Sequence, residues 1–208
     1  MTAKKTWIIL AAFLALATGC INRGFSQGLN QGPTLYGSGN VVSQERPAQD
    51  FDVVVFEGAG NLRIHPGRDF RVVVTTDENF QEIVEARVED GALIHGFSEG
   101  RYQVRMGEYS FDVYMPALRG IELRGAGNVA VEGGSAESLW VTVSGAGNVS
   151  AENFEARNVE VNISGNGRIS VHASDLLVGS ISGVGEIRLY GGGRNGVLVS
   201  GVGRVTSR

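Results

Sequence analysis

The sequence predicts an all-β solenoid, a fold made of stacked copies of one short strand unit. A glycine motif of the form GxG recurs along the chain, beginning at Gly37, Gly58, Gly125, Gly145, Gly165, Gly183 and Gly201. With one exception the neighbouring copies lie 18 to 21 residues apart, and such a fixed period indicates a repeat architecture. Apolar and polar residues alternate on both sides of the motif, as in strands with one buried face.

The first twenty residues predict a secretory signal peptide that ends at the single cysteine, Cys20. Two lysines precede an apolar run over residues 7–16, which is too short to cross the ~30 Å hydrocarbon core of a membrane as a helix. The stretch ATGC at residues 17–20 resembles a bacterial lipoprotein signal, and this resemblance implies lipidation of Cys20. The alternative is ordinary cleavage after Ala17, which leaves Cys20 as a free thiol.

The segment over residues 21–36 is polar and glycine-rich without a period, so it predicts a flexible tether. The folded domain is then expected over residues 37–208. Ile21 rather than an aspartate follows the cysteine, and the resemblance to lipoproteins of two-membrane bacteria therefore implies the outer membrane. We expect an exported protein that a lipid on Cys20 holds to that membrane, on its periplasmic or surface face.

Each repeat unit is expected to be a strand, a glycine turn and a second strand. Val141 and Val143 precede one copy of GAGNV, while Val149 and Ala151 follow it in the same alternation. Glycine allows the tight turn because it has no Cβ. A unit of about twenty residues cannot bury its apolar face alone, so each strand should pair with its copy one coil further on. Each coil of the solenoid is therefore expected to contain about 18–22 residues.

The longest interval between motifs, from Gly58 to Gly125, lacks the regular repeat. Its length would fit three degenerate coils. A short helical excursion is expected near residues 77–85, since an acidic start is followed by the apolar pair Ile83 and Val84. A hairpin is expected around the sequence EDG at residues 89–91.

Taken together, these segments resemble the bacterial family "putative auto-transporter adhesin, head GIN domain". The resemblance is carried by the segment over residues 37–67, GSGNVVSQERPAQDFDVVVFEGAGNLRIHPG, by TTDENF and VEDGALI, and by the tandem VSGAGNV units. It covers about residues 37–208. It implies a right-handed parallel β-helix that is exported and often lipid-anchored, and it brings no catalytic residues to this chain.

One set of residues is a weak candidate for a metal site. Glu132, Glu152 and His172 share one position of the repeat, so in stacked coils they would form an outward column. Two carboxylates and an imidazole can hold a divalent cation. A solvated polar face is the alternative reading of the same column. No cofactor is expected, because the dinucleotide-like pattern at residues 125–130 leads into a strand instead of a helix.

The remaining functional alternatives concern an acidic stretch and the charge of the chain. Paired acids could cleave a glycan, and the stretch contains Glu78, Glu82, Glu85, Glu89 and Asp90. The formal net charge of −4 disfavours nucleic-acid binding.

We therefore expect a non-enzymatic, lipid-anchored envelope protein that binds an extended glycan or an envelope protein through columns of polar side chains. The alternatives are a carbohydrate-active β-helix enzyme and a structural protein that self-associates through the solenoid ends.

Overall fold

The structure, a computed structural model, describes residues 34–98, 103–105 and 107–208. These residues form seventeen β-strands, a single 3-10 turn at Glu78–Phe80 and no α-helix. In this part of the chain, no helix has the length and apolar character that crossing a membrane requires. The strands are β1 Thr34–Tyr36, β2 Val41–Arg46, β3 Val53–Phe56, β4 Ala59–Pro66, β5 Arg71–Asp77, β6 Val84–Glu89, β7 Ala92–Phe97, β8 Gln103–Arg105, β9 Ser110–Met115, β10 Gly120–Leu123, β11 Ala126–Val131, β12 Ser135–Val143, β13 Ala146–Ile163, β14 Asn166–Ile181, β15 Val184–Tyr190, β16 Arg194–Val199 and β17 Val202–Ser207.

The predicted leader with Cys20 and most of the predicted tether lie outside the described residues. The last three residues of that tether form β1, which pairs in parallel with β8 as a separate two-stranded sheet. The other fifteen strands form one sheet. Along one path their order is β2-β5-β9-β4-β11-β13-β12-β10-β3-β7-β6, and β14 to β17 continue from β13.

The repeat units pair in parallel, each with its copy one unit further on. Asn128 lies opposite Asn148 and Val143 opposite Ile163, so equivalent residues form columns across the strands. Glycines stack at the corners. A Cβ placed on Gly145 would lie 2.0 Å from the carbonyl oxygen of Gly125, which no side chain can tolerate. The recurrent glycine is therefore required by the close approach of successive backbones.

The predicted parallel β-helix solenoid is nevertheless wrong as a description of the whole domain. The sheet has a mixed strand order, because β2–β5, β5–β9 and β6–β7 are antiparallel pairs. The three degenerate coils expected between Gly58 and Gly125 are absent from the described residues of that interval. The physical cause is turn chemistry at two chain reversals. Gly67, with a φ of 76°, lies between β4 and β5, which makes β5 antiparallel to β9. Asp90 and Gly91, with φ of 50° and 77°, form the hairpin between β6 and β7, and this confirms the hairpin expected at residues 89–91.

The helical excursion predicted near residues 77–85 is also wrong in its extent. The structure has only the 3-10 turn at Glu78–Phe80, and β6 already begins at Val84. Phe80 and Gln81 are buried there, and the Gln81 side chain donates to the carbonyls of Val42 and Val74. Because the turn is fixed to two strands and β6 follows so soon, the segment between them is too short for a regular helix.

The sheet curls so that two halves, here called limbs, face each other and nearly close around one core. The first limb has the strand order β2-β5-β9-β4-β11-β13-β14-β15-β17, and the second has the order β6-β7-β3-β10-β12-β13-β14-β16. Strand β13 runs through both limbs, pairing with β11 over its first half and with β12 over its second. Val149 in the first half and Val161 in the second belong to the same buried cluster. Phe154 is fully buried at the bend between them. Each such buried side chain contributes about 1.5–3 kcal/mol to stability.

Candidate functional site

A continuous column of polar side chains runs across nine neighbouring strands on the outer surface of the first limb. We call this column the polar ladder. Its members lie opposite one another in register from β2 to β17, and each faces away from the core. In spatial order they are Ser43, Thr75, Ser110, Asn61, Asn128, Asn148, Arg168, Glu186 and Arg204.

The centre of the polar ladder is a chain of asparagines. The Asn148 amide donates to Asn128 Oδ1 at 2.9 Å, and the Asn128 amide donates to Asn61 Oδ1 at 3.3 Å. At the far end of the ladder Ser43 Oγ and Thr75 Oγ1 are 2.7 Å apart. All three asparagines are exposed, so these bonds orient their amides without removing them from solvent. The ladder thus presents ordered donors and acceptors at one-strand intervals.

The other end of the polar ladder is charged. Arg168 Nε donates to Glu186 Oε2 at 2.8 Å, and Arg204 Nη2 donates to Glu186 Oε1 at 3.1 Å. Residues of alternating sign in this part of the ladder therefore attract one another. A third guanidinium, Arg188, reaches the same carboxylate at 3.4 Å. The hydrogen bond from Arg168, followed by those from Arg204 and Arg188, lowers the pKa of Glu186 to about 2.

Two grooves lie along the polar ladder. The larger, about 740 Å³, contains Asn61 and Asn128 together with Tyr109 and Glu108. The smaller, about 490 Å³, contains Asn148 and the charged end of the ladder. Its other lining residues are Asn166, Gly167, Val184, Gly185, Val202 and Gly203. The corner glycines keep these grooves shallow and open, which suits an elongated ligand better than a small one.

The structure places the candidate metal ligands differently from the expected column. His172 lies opposite Glu155, because the register between β13 and β14 shifts after Ala151 and the position of Glu152 is skipped. Glu132 lies just beyond the end of β11. Within residues 34–98, 103–105 and 107–208, no group of three acidic, histidine or cysteine side chains is arranged to hold a metal ion.

The acidic stretch is divided among separate contacts. Glu78 accepts a hydrogen bond from the Asn40 amide at 2.8 Å. Arg87 lies between Glu85 and Glu89 on β6 and binds both, at 3.3 and 2.8 Å. Glu78, Glu85 and Glu89 are thus engaged in local hydrogen bonds and ion pairs.

Sequence reasoning missed a buried polar pair beside the larger groove. His95 is fully buried, and its Nδ1 donates to the Glu85 carbonyl at 2.9 Å, so Nε2 accepts a hydrogen bond from the Tyr109 hydroxyl. The imidazole stacks on Phe111 with ring centroids 3.8 Å apart. Burial lowers the pKa of His95 to about 4 and raises that of Tyr109. The sequence did contain a signal for this burial: side chains alternate between the two faces of a strand, so His95 lies on the same inward face of β7 as Leu93.

His65 lies on the surface near the ladder, next to an ion pair. Arg63 binds Asp112 through two nitrogens at 2.7 and 2.9 Å, and His65 Nε2 lies 3.1 Å from the same carboxylate. The hydrogen bond from Arg63 is the main reason that the pKa of Asp112 is lowered. The His65 ring stacks on Tyr114 at 4.4 Å. His65, His95 and His172 therefore occupy three separate environments.

Comparison with known proteins gives a family and a fold. The family model described as "Putative auto-transporter adhesin, head GIN domain" matches residues 50–133 and 130–193. No curated protein matches the chain. A crystal structure of a "putative adhesin" from Bacteroides fragilis NCTC 9343 is similar with a TM-score of 0.59 and 19% identity, covering 84% of this chain and 100% of that one. At this identity the likeness shows a common fold.

Two further solved structures are similar at lower scores. One is a "Putative lipid binding protein" from Parabacteroides distasonis ATCC 8503, with a TM-score of 0.44, 20% identity and coverage of 84% of this chain and 99% of that one. The other is a "putative adhesin" from Parabacteroides merdae ATCC 43184, with a TM-score of 0.44, 18% identity and the same two coverages.

Proposed function

Since this chain belongs to the family "Putative auto-transporter adhesin, head GIN domain", we propose that it is a non-enzymatic, adhesin-like protein of the cell envelope that binds an extended polymer along its polar ladder. The observation that carries this proposal is the unbroken register of nine polar side chains across nine strands. Exported, envelope-associated location is consistent with the adhesin description of the family.

The geometry of the ladder suits a polymer with repeated polar groups. Neighbouring strands are about 4.8 Å apart, so the nine positions extend over about 38 Å. A glycan or an extended peptide that crosses the strands meets a hydrogen-bonding side chain at each step. The asparagines are held by one another, so their amides lose little conformational freedom when a ligand binds. Weak contacts of this kind add up along the length of the polymer.

Two variants of one strand test the proposal. Asn148 and Asn162 are both outward-facing asparagines of β13, but they lie on opposite limbs of the sheet. We expect Asn148→Ala to weaken binding in a screen of envelope polysaccharides and peptides, while Asn162→Ala leaves binding unchanged. Equal binding by the two variants, with both folded by circular dichroism, would show that the ladder is not the contact surface.

We further propose that the protein is attached to the outer membrane by a lipid on Cys20. The support is the sequence of the leader: an apolar run followed by the stretch ATGC with the single cysteine. The segment from residue 21 to β1 then provides reach between the lipid and the domain. Together with the polar ladder, this arrangement would hold a polymer near the membrane without catalysing any change in it.

A second candidate partner is another copy of the chain, through the last strands. In the described part of the chain β16 pairs only with β14, and β17 only with β15, so each has an open edge. Apolar side chains are exposed there: Leu198, Val199 and Val202 are 75%, 45% and 72% exposed. Unpaired edges next to apolar surface favour strand addition.

The substitution Val199→Pro tests this second candidate. The Ser200 N–H donates to Ile181 on β14, so by alternation the N–H of Val199 points to the open edge. Proline removes that donor. We expect concentration-dependent association in sedimentation to weaken in the variant. Unchanged association by a folded variant would exclude this edge as the contact.

A further inference from the structure

The charged end of the polar ladder carries more positive than negative charge. Arg168, Arg188 and Arg204 all bind the carboxylate of Glu186. Three guanidiniums around one carboxylate give this cluster a net charge of +2. The chain as a whole has a formal net charge of −4, so this positive charge is a local feature of the charged end of the ladder.

The arginines remain accessible although they are held in place. Their side chains are 44%, 29% and 71% exposed for Arg168, Arg188 and Arg204, whereas that of Glu186 is only 12% exposed. The single carboxylate therefore lies beneath the guanidiniums and orients them. Such an arrangement is preorganised for an oxyanion.

An apolar strip accompanies these arginines. Val184 and Val202 lie in register on neighbouring strands, line the same groove and are 51% and 72% exposed. Arg168 and Arg204 lie on the other side of the groove, two strand spacings or about 9.6 Å apart. A ligand that fits both sides has anionic groups along one edge and carbon-bound hydrogens along the other. Sugar rings with carboxylate or sulfate substituents have this character.

We propose that the charged end of the polar ladder binds acidic glycans, with Arg168, Arg188 and Arg204 holding their carboxylate or sulfate groups and Val184 and Val202 contacting the sugar rings. The proposal rests on the proposed function, because it names the class of polymer that the ladder selects. A nucleic acid fits less well. The groove is lined by Asn, Gly, Val, Arg and Glu residues and so has no aromatic platform for bases among them.

The test compares two forms of one polymer. Polygalacturonate and its fully methyl-esterified form share a backbone but differ in charge. We expect the wild-type protein to bind polygalacturonate more tightly than the ester, and to do so less well as salt is raised. Replacing two arginines, in Arg168→Gln/Arg204→Gln, should weaken binding of polygalacturonate by about tenfold or more, since each loses a charge-assisted hydrogen bond. The ester should be little affected.

A matched control changes the net charge equally at another place. The double variant Arg119→Gln/Arg157→Gln alters exposed arginines that pair with Asp52 and with Glu137 outside the groove. It should bind polygalacturonate as the wild type does. A loss as large as that of the groove variant would overturn the proposal, because it would mark a general charge effect.

Two other outcomes would also overturn the proposal, and they separate it from the proposed function. In the first, the wild type prefers the ester or binds both forms equally, and the arginines then do not select charge even though the ladder binds polymers. In the second, the groove variant is folded by circular dichroism and binds polygalacturonate as tightly as the wild type does. By contrast, failure of Asn148→Ala to affect any polymer would count against the ladder as a whole.

Discussion

At the scale of single residues, the most consequential feature is a neutral imidazole in the core. His95 donates through Nδ1 to the Glu85 carbonyl and accepts from the Tyr109 hydroxyl, so the neutral form satisfies both ring nitrogens. Protonation would bury a positive charge and would force the Tyr109 hydroxyl to accept instead of donate. Stacking on Phe56 and Phe111 keeps water away from the ring. The pKa of about 4 follows from this environment, with burial as the main cause.

This buried histidine predicts a pH dependence of stability. In the unfolded chain His95 titrates near its ordinary pKa of 6.5, whereas in the folded protein it titrates near 4. As the pH falls from 6.5 towards 4, the unfolded state therefore takes up a proton that the folded state does not. The free energy of unfolding should fall by about 1.4 kcal/mol per pH unit in that window, and the contribution is complete above pH 6.5.

Urea unfolding at pH 7 and pH 5 measures this slope. The control is His95→Gln, which keeps a polar side chain at this position but does not titrate. Its stability should be lower at pH 7 but should change less between the two pH values. Asp52, Asp112 and Glu186 have lowered pKa values in the folded protein and ordinary values of 3.8 to 4.5 in the unfolded chain, so most of their contribution to stability is lost below pH 5. An identical slope in both proteins would assign the pH dependence to other groups.

At the scale of elements, the repeat unit is governed by how closely two backbones approach at the corner. A Cβ added to Gly147 would lie 1.8 Å from the carbonyl oxygen of Gly127. A Cβ added to Gly165 would lie at a similar distance from the carbonyl oxygen of Gly145 in the preceding unit. Because strand pairing holds the neighbouring backbone, the clash cannot be relieved by a side-chain rotation. The same close approach brings the members of the polar ladder to one-strand spacing. Corner and ladder are therefore two results of one constraint.

The substitution Gly145→Ala should be destabilising by about 1–3 kcal/mol or more, as expected for overpacking against fixed backbone. Its Cβ would lie 2.0 Å from the carbonyl oxygen of Gly125. Gly192→Ala is the matched control, because a Cβ at Gly192 meets no atom within 4 Å. Thermal unfolding of the two variants decides the matter: similar melting temperatures would contradict the close approach at the corner.

At the scale of the whole molecule, the fold combines two ways of pairing strands. In the repeat region successive units add in parallel, and the core grows by one layer of valine and isoleucine at each step. In the first half of the domain, hairpin and antiparallel pairs complete the same sheet and the same core. The polar ladder crosses from one region into the other without interruption. The binding surface that we propose is thus larger than the repeat.

The whole-molecule prediction concerns attachment to the membrane. We expect Cys20→Ser to move the protein from the membrane fraction to the soluble fraction of cells and to abolish incorporation of labelled palmitate, because the variant has no thiol to acylate. Fractionation and immunodetection measure the first effect. The tether variant Ser26→Ala serves as control and should remain with the membrane. Identical partitioning of Cys20→Ser and wild type would refute the lipid anchor.

What the sequence by itself determined is the part of the fold in which one backbone geometry recurs. The period of the GxG motif and the alternation around it were enough to predict that Asn128 lies opposite Asn148 and that Val143 lies opposite Ile163. The alternating charges of Arg168, Glu186 and Arg204 meet for the same reason. The family was also evident from these repeats and from the segment before them.

Only the tertiary structure decided how the rest of the chain joins this repeat. Antiparallel pairing of β5 with β9 brings Thr75 next to Ser110, and that pairing depends on turns and core contacts between residues distant in sequence. The burial of His95 against Tyr109 is a long-range contact of the same kind. A periodic pattern predicts pairing only while the hydrogen-bonding geometry between neighbouring strands repeats. Where that geometry changes direction, packing of the common core selects the strand order.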